Sequence, residues 1–130
     1  MDCLNKDRNY PVLKYFTRKE FECPTLAGSG DFMDSAFLHQ LDQAREFAQI
    51  PFKITSGYRS ESHNNKVGGV KGSSHCKGLA ADIYIRDSVS RYKILTALIK
   101  AKFKRIGIGE YFIHVDSDTT KSSNVCWQYY

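Results

Sequence analysis

A small α+β domain is the fold class predicted by this sequence: a short antiparallel sheet with helices packed on one face. Three observations lead there. Apolar residues recur at helical spacing over 35–49 and 88–102. Strict alternation marks 79–85 and 111–116. The 130 residues leave room for one domain, 1–130. A hydrophobic fraction of 42% with 25% charged residues excludes a disordered tail, a collagen-like chain and a coiled coil. No apolar run approaches the ~20 residues of a membrane span.

Each element has a local reason. Thr17-Arg18-Lys19-Glu20 fits a capping box, so a short helix follows and stops before Pro24. Residues 26–32 hold Gly28 and Gly30 and read as loop. Asp34 caps a helix over 35–49, whose stripe is Phe37, Leu38, Leu41, Ala44 and Ala48. His39 lies off that stripe, on the solvated side. Residues 52–55 alternate as a strand. The polar stretch 56–74 reads as a long loop, and loops of that length are commonly functional. In 79–85, Leu79, Ala81, Ile83 and Ile85 share one face, and Ala80, Asp82 and Tyr84 the other. Asp87 or Ser88 caps a helix to Lys102, with Tyr92, Leu95 and Ile99 inward. Residues 105–109 and 111–116 form two strands about a bend at Gly109-Glu110, and the apolar tail 125–130 adds an edge strand.

The net charge of +5 suits an anionic partner. The 19 basic residues form no block of five, so nucleic-acid binding is not expected. Lys66, Lys71 and Lys77 are candidates for a basic rim, with plain solvation as the alternative. Met1 to Arg8 contain no apolar stretch of signal-peptide length, which predicts a chain made and left in the cytoplasm. Cys3, Cys23, Cys76 and Cys126 show no CxxC spacing and read as free thiols.

Period-two geometry selects the chemistry. On 111–116, Phe112, His114 and Asp116 point one way, and Tyr111, Ile113 and Val115 the other. With the apolar trio inward, His114 and Asp116 share the open face, and Asp82 lies likewise on the less apolar face of its strand. His75 ends the long loop. Two imidazoles and a carboxylate with a water match a catalytic zinc set. Spacing alone leaves open a hydrogen-bonded surface histidine and a lysine-paired aspartate.

The wider string is specific. Ser56-Gly57-Tyr58-Arg59-Ser60, His63-Asn64, Val67-Gly68-Gly69, Ser73-Ser74-His75, Gly78-Leu79-Ala80-Ala81-Asp82-Ile83 and Phe112-Ile113-His114-Val115-Asp116 resemble, in order, the M15 family of zinc peptidases. That family includes D-alanyl-D-alanine carboxypeptidase relatives, phage endolysins and cell-wall endopeptidases, with a hedgehog/DD-peptidase-like fold. The resemblance runs from about Tyr15 to Asp118. It implies Zn2+ held by His75, Asp82 and His114, and Arg59 holding a substrate carboxylate or carbonyl. A bidentate guanidinium suits that role, and bracing the long loop is its alternative. Ser74 and Asn64 orient the site or brace the loop. Gly78 and Ala80 keep the ground near the metal open. His63 is a candidate for the site wall, and Cys76 reads as packing.

One position departs from the family. Members commonly carry a general-base Glu three residues before the last zinc His, where this chain has Tyr111. Glu110 lies ~13 Å from His114 on a regular strand, and Asp116 ~7 Å on the same face. The resemblance therefore favours Asp116 as base and places Glu110 second, with support of a ligand imidazole as the alternative for Asp116.

The expectation is a monomeric zinc metallopeptidase that cuts stem-peptide or cross-link bonds of peptidoglycan, with no nucleic-acid partner. The missing export signal favours a phage lysis or penetration enzyme. Two rivals stand beside it. One is a metal-bound but inactive wall-recognition domain. The other is a non-haem iron oxygenase whose triad is His75, His114 and Asp116.

Overall fold

Residues 12–129 are described by the computed structural model; Cys3 and the N-terminal stretch Met1 to Arg8 lie outside them. Helices Ser35–Ala48 (α1), Glu61–Lys66 (α2) and Ser88–Lys100 (α3) accompany five strands. These are Ile54–Ser56 (β1), Ala80–Tyr84 (β2), Arg105–Ile108 (β3), Phe112–Asp116 (β4) and Val125–Gln128 (β5). The sheet order is β1-β2-β4-β3-β5. Its first four strands pair antiparallel. β5 is the expected edge strand, but it runs parallel to β3, so the sheet is mixed. The reason is the path of 117–124. This segment turns back at the end of β4 and passes the start of β3, where Val125 pairs with Arg105.

The helix α1 starts where its cap predicts, with Asp34 Oδ2 accepting the Phe37 N–H at 2.9 Å. Its stripe of Phe37, Leu38, Leu41, Ala44 and Ala48 is buried. Gln49 ends it in the left-handed region, at φ 59°. Asp87 caps α3 through the Ser90 N–H at 2.8 Å. The inner face of α3 differs from the expected one. Ile94, Ala97 and Leu98 are buried, whereas Tyr92 and Ile99 are 70% and 57% exposed. The helix is apolar on two sides, so periodicity alone does not choose between them. Contact with α1 and the sheet does.

Two segments read as loop contain helical turns. Ser29–Phe32 is a 3-10 turn. Within 56–74, Ser60 Oγ accepts the His63 N–H at 3.1 Å and starts α2. The capping pair at Thr17 is present, its N–H donating to Glu20 Oε2 at 2.8 Å, and the turn Arg18–Phe21 follows.

The core lies between α1, α3 and one sheet face, where Ala81, Ile83, Ile106, Ile113 and Val115 meet the helices. Burying a side chain such as Leu98 contributes about 1.5–3 kcal/mol. Tyr111 precedes β4 and is exposed, so only Ile113 and Val115 of the expected trio enter the core. No helix among the described residues is long and apolar enough to cross a membrane.

Candidate metal centre

Cross-strand register assembles the site. Asp82 of β2 pairs with His114 of β4, His114 with Gly107 of β3, and Gly107 with Trp127 of β5. These residues form one row on the sheet face opposite the helices. His75 joins from the 3-10 turn Ser74–Lys77, whose start is capped by Ser73 Oγ accepting the His75 N–H at 3.2 Å. Asp82 Oδ1 lies 2.9 Å from His114 Nδ1 and 3.3 Å from His75 Nε2. Ligand atoms of the three residues all lie within 4.8 Å of one another.

The outer ring nitrogens settle how the imidazoles present themselves. His75 Nδ1 lies 2.8 Å from the Gly57 carbonyl, which can only accept. That nitrogen therefore carries a proton, and Nε2, which faces Asp82, is the ring nitrogen left to bind a metal. His114 Nε2 donates to Asp116 Oδ2 at 2.7 Å, which turns Nδ1 towards the same point. Two oriented imidazoles and one carboxylate oxygen fit a divalent metal of the zinc type.

Asp116 stands behind His114 rather than in front of it. It is 1% exposed, and Oδ1 accepts from Arg105 Nε at 2.7 Å and from the Asp118 N–H at 3.1 Å. Both oxygens are engaged. Since Asp116 turns to the imidazole instead of joining the ligand group, the His75–His114–Asp116 triad of an iron oxygenase is not formed. Arg59 is anchored by Nε to Ser56 Oγ and by Nη1 to Asn64 Oδ1, each at 3.1 Å. Its Nη2 lies 3.7 Å from Asp82 Oδ2. The guanidinium therefore braces the loop and also borders the metal group. Glu110 is exposed at the β3–β4 turn and lines a different cavity, with Arg91 and Gln128.

Electrostatics follow from these contacts. Burial raises the Asp82 carboxyl, but hydrogen bonds from His114 and His75 outweigh it and hold the group well below the usual carboxylate range. Burial pulls His114 down, and the Asp116 and Asp82 carboxylates more than reverse this, so its imidazole titrates above its ordinary value. Asp116 is held low against its own burial by His114, the Asp118 N–H and Arg105.

A cavity of about 420 Å³ opens over the group, lined among others by Arg59, Ser73, Phe112, Lys121, Trp127 and Tyr129. Sequence reasoning passed over Arg105, Lys121, Trp127 and Tyr129, because their neighbours are set by the parallel pairing of β5. The Trp127 ring lies 5.7 Å from His114 and under the Arg105 guanidinium at 4.9 Å. Gly107 makes this approach possible, since a Cβ there would meet the indole at 2.5 Å. Burial holds the Tyr129 hydroxyl above its ordinary value.

The remaining candidates sort as follows. His63 lies on α2 and does not line this cavity. His39 is half-buried on α1. Asn64 braces the loop, its Nδ2 donating to Val70 O at 2.9 Å, and Ser74 Oγ donates to Asp118 at 2.8 Å. Gly78 serves packing rather than metal access. It is left-handed at φ 71°, and a Cβ there would strike the Phe32 carbonyl. Lys77 pairs with the buried Asp118 at 2.9 Å, while Lys66 and Lys71 are exposed. Cys23, Cys76 and Cys126 are free thiols, and none belongs to the metal group.

The sequence pattern of the Peptidase M15 family matches residues 14–116. No curated protein matches the chain. The matched span contains the three candidate ligands, Arg59 and Asp116, and stops short of Lys121, Trp127 and Tyr129.

Proposed function

The chain belongs to the peptidase M15 family, and on that premise we propose that it is a zinc-dependent peptidase acting on the stem or cross-link peptides of peptidoglycan. In this reading it is an endolysin-like monomer that degrades cell wall. The observation that carries it is the convergence of His75, Asp82 and His114 within 4.8 Å, both imidazoles already oriented from behind.

His75, Asp82 and His114 would hold zinc, which when bound would supply a water acidified to a pKa of ~7 and a Lewis acid for the scissile carbonyl. The protein's side chains do the rest. Arg59, pre-ordered by Ser56 and Asn64, presents a planar donor to a peptide carbonyl or carboxylate. Tyr129, whose hydroxyl carries its proton at neutral pH, is a second donor on the cavity wall. Asp116 holds the tautomer and direction of His114 and does not receive the water's proton. Glu110, in its separate cavity, takes no part.

A second reading has one observation behind it. The carboxylates lining the cavity are Asp82 and Asp116, and both are engaged. A metal-bound wall-recognition domain needs no base and would accept that arrangement. Purified peptidoglycan incubated with zinc-loaded protein, followed by mass analysis of released fragments, decides. The peptidase reading expects new amine termini from the wild type and none from His114→Ala. Wall binding without fragments would replace it with the recognition domain.

A further inference from the structure

A second cavity adjoins the metal cavity. It also measures about 420 Å³, and the two share Arg105, Asp116 and Lys121. Its wall is basic, with Lys102, Lys104, Arg105 and Lys121 set against Asp116 and Asp118. Both carboxylates are buried and already neutralised. Asp116 pairs with Arg105 at 2.7 Å, and Asp118 with Lys77 at 2.9 Å. The remaining lysines are in excess. Lys102 and Lys104 are exposed on either side of the buried Phe103. Among the described residues neither has an ion-pair partner. Lys121 stands on the ridge between the cavities, with Nζ 3.0 Å from Ser74 Oγ and 3.7 Å from Asp118 Oδ2.

Cations that line a concave wall without counter-charges raise the local concentration of anions. Here the concavity borders the metal centre, and Lys121 faces both spaces. We propose that this second cavity is an anion subsite, which takes a carboxylate-bearing arm of the substrate while the scissile bond lies at the metal centre. The proposal rests on the peptidase reading above and adds the substrate's charge to it. Stem peptides suit the site, because a γ-linked D-glutamyl residue carries a free α-carboxylate.

The test uses two probes that differ by one charge: the stem tripeptide L-Ala-γ-D-Glu-L-Lys, N-acetylated, and its D-isoglutamine twin, in which that carboxylate is a carboxamide. Binding to the zinc-loaded protein is measured by calorimetry at low salt, and hydrolysis of purified peptidoglycan by the same protein is followed by mass analysis. The wild type is expected to bind the acid about two- to thirtyfold more tightly than the amide, the range of two exposed ion pairs. The double variant Lys102→Ala/Lys104→Ala should bring the acid down to the amide's affinity with its melting temperature unchanged, and Lys121→Met should do so in part. Equal affinities in the wild type, a preference that survives the double variant, or no binding of either probe would overturn the subsite. Discrimination in binding, with no fragments released from peptidoglycan, leaves the subsite standing and removes the peptidase reading. Release of fragments from peptidoglycan with no discrimination between the probes does the reverse.

Discussion

Asp116→Asn separates a carboxylate that holds His114 from one that takes a proton from water. In the structure the carboxylate accepts three donors: His114 Nε2 and Arg105 Nε, each at 2.7 Å, and the Asp118 N–H at 3.1 Å. An amide of the same shape has one oxygen and an NH2 group that can only donate. With its oxygen towards Arg105, the NH2 meets the His114 Nε2–H. His114 then moves its proton to Nδ1, the nitrogen aimed at the metal group. With its oxygen towards His114, the NH2 meets the Arg105 and Asp118 donors. Either orientation loses a charge-assisted bond of ~1.5–3 kcal/mol and leaves a buried donor short of a partner, at ~1–3 kcal/mol. A net loss of about 3 kcal/mol is expected. For 130 residues the unfolding entropy is ~0.27 kcal/mol/K, so the melting temperature of the chelator-treated protein should fall by about 11 °C. Zinc affinity, measured by competition with a chromophoric chelator, should weaken ~10–100-fold. Unchanged melting and unchanged zinc affinity, with hydrolysis down ~10²–10⁴-fold, would refute this reasoning and make Asp116 the base.

The pH dependence of the metal-free protein has a definite sign. The raised His114 contributes stability that is complete below the ordinary imidazole value of 6.5 and fades as pH rises through the folded value. The depressed Asp82 and Asp116 contribute above the ordinary carboxylate value of 3.8 and fade below it. Melting temperature should therefore be highest between those values, and a maximum above pH 8 would contradict it. Gly107→Ala should evict the single Trp, Trp127, from beside His114 and red-shift its emission, and an unshifted spectrum would count against that packing. Arg59→Lys keeps charge but cannot bridge Ser56 and Asn64 while facing Asp82. It should lower kcat/KM at least ~10-fold, the loss of about one charge-assisted hydrogen bond, and an equal loss of stability would reduce the residue to a loop brace. Thiol titration of freshly purified, denatured and unreduced protein should count four free cysteines, and two or none would show disulfides.

What the sequence by itself determined is local. Asp34 and Asp87 cap their helices because a side-chain carboxylate two or three residues ahead satisfies an N–H that no helical carbonyl can reach. The α1 stripe was legible because five apolar residues share one side and only Ala36 and Phe47 fall outside it. The alternation of FIHVD put His114 and Asp116 on one face, and the ordered motifs placed His75, Asp82 and Arg59 beside them. Tertiary structure decided the rest, because it depends on pairings between distant segments. Tyr92, Leu95 and Ile99 formed as good a helical stripe as Ile94, Ala97 and Leu98, and only packing on α1 chose between them. Strand spacing gave the separation of Asp116 from His114 but not the direction in which either side chain turns. That was set by Arg105 and the Asp118 N–H, which draw Asp116 behind the imidazole. Trp127 and Tyr129 reach the site because β5 pairs parallel with β3 and Gly107 has no side chain in the way. The basic cavity likewise exists only where the turn at Lys102–Lys104 meets the loop that carries Lys121.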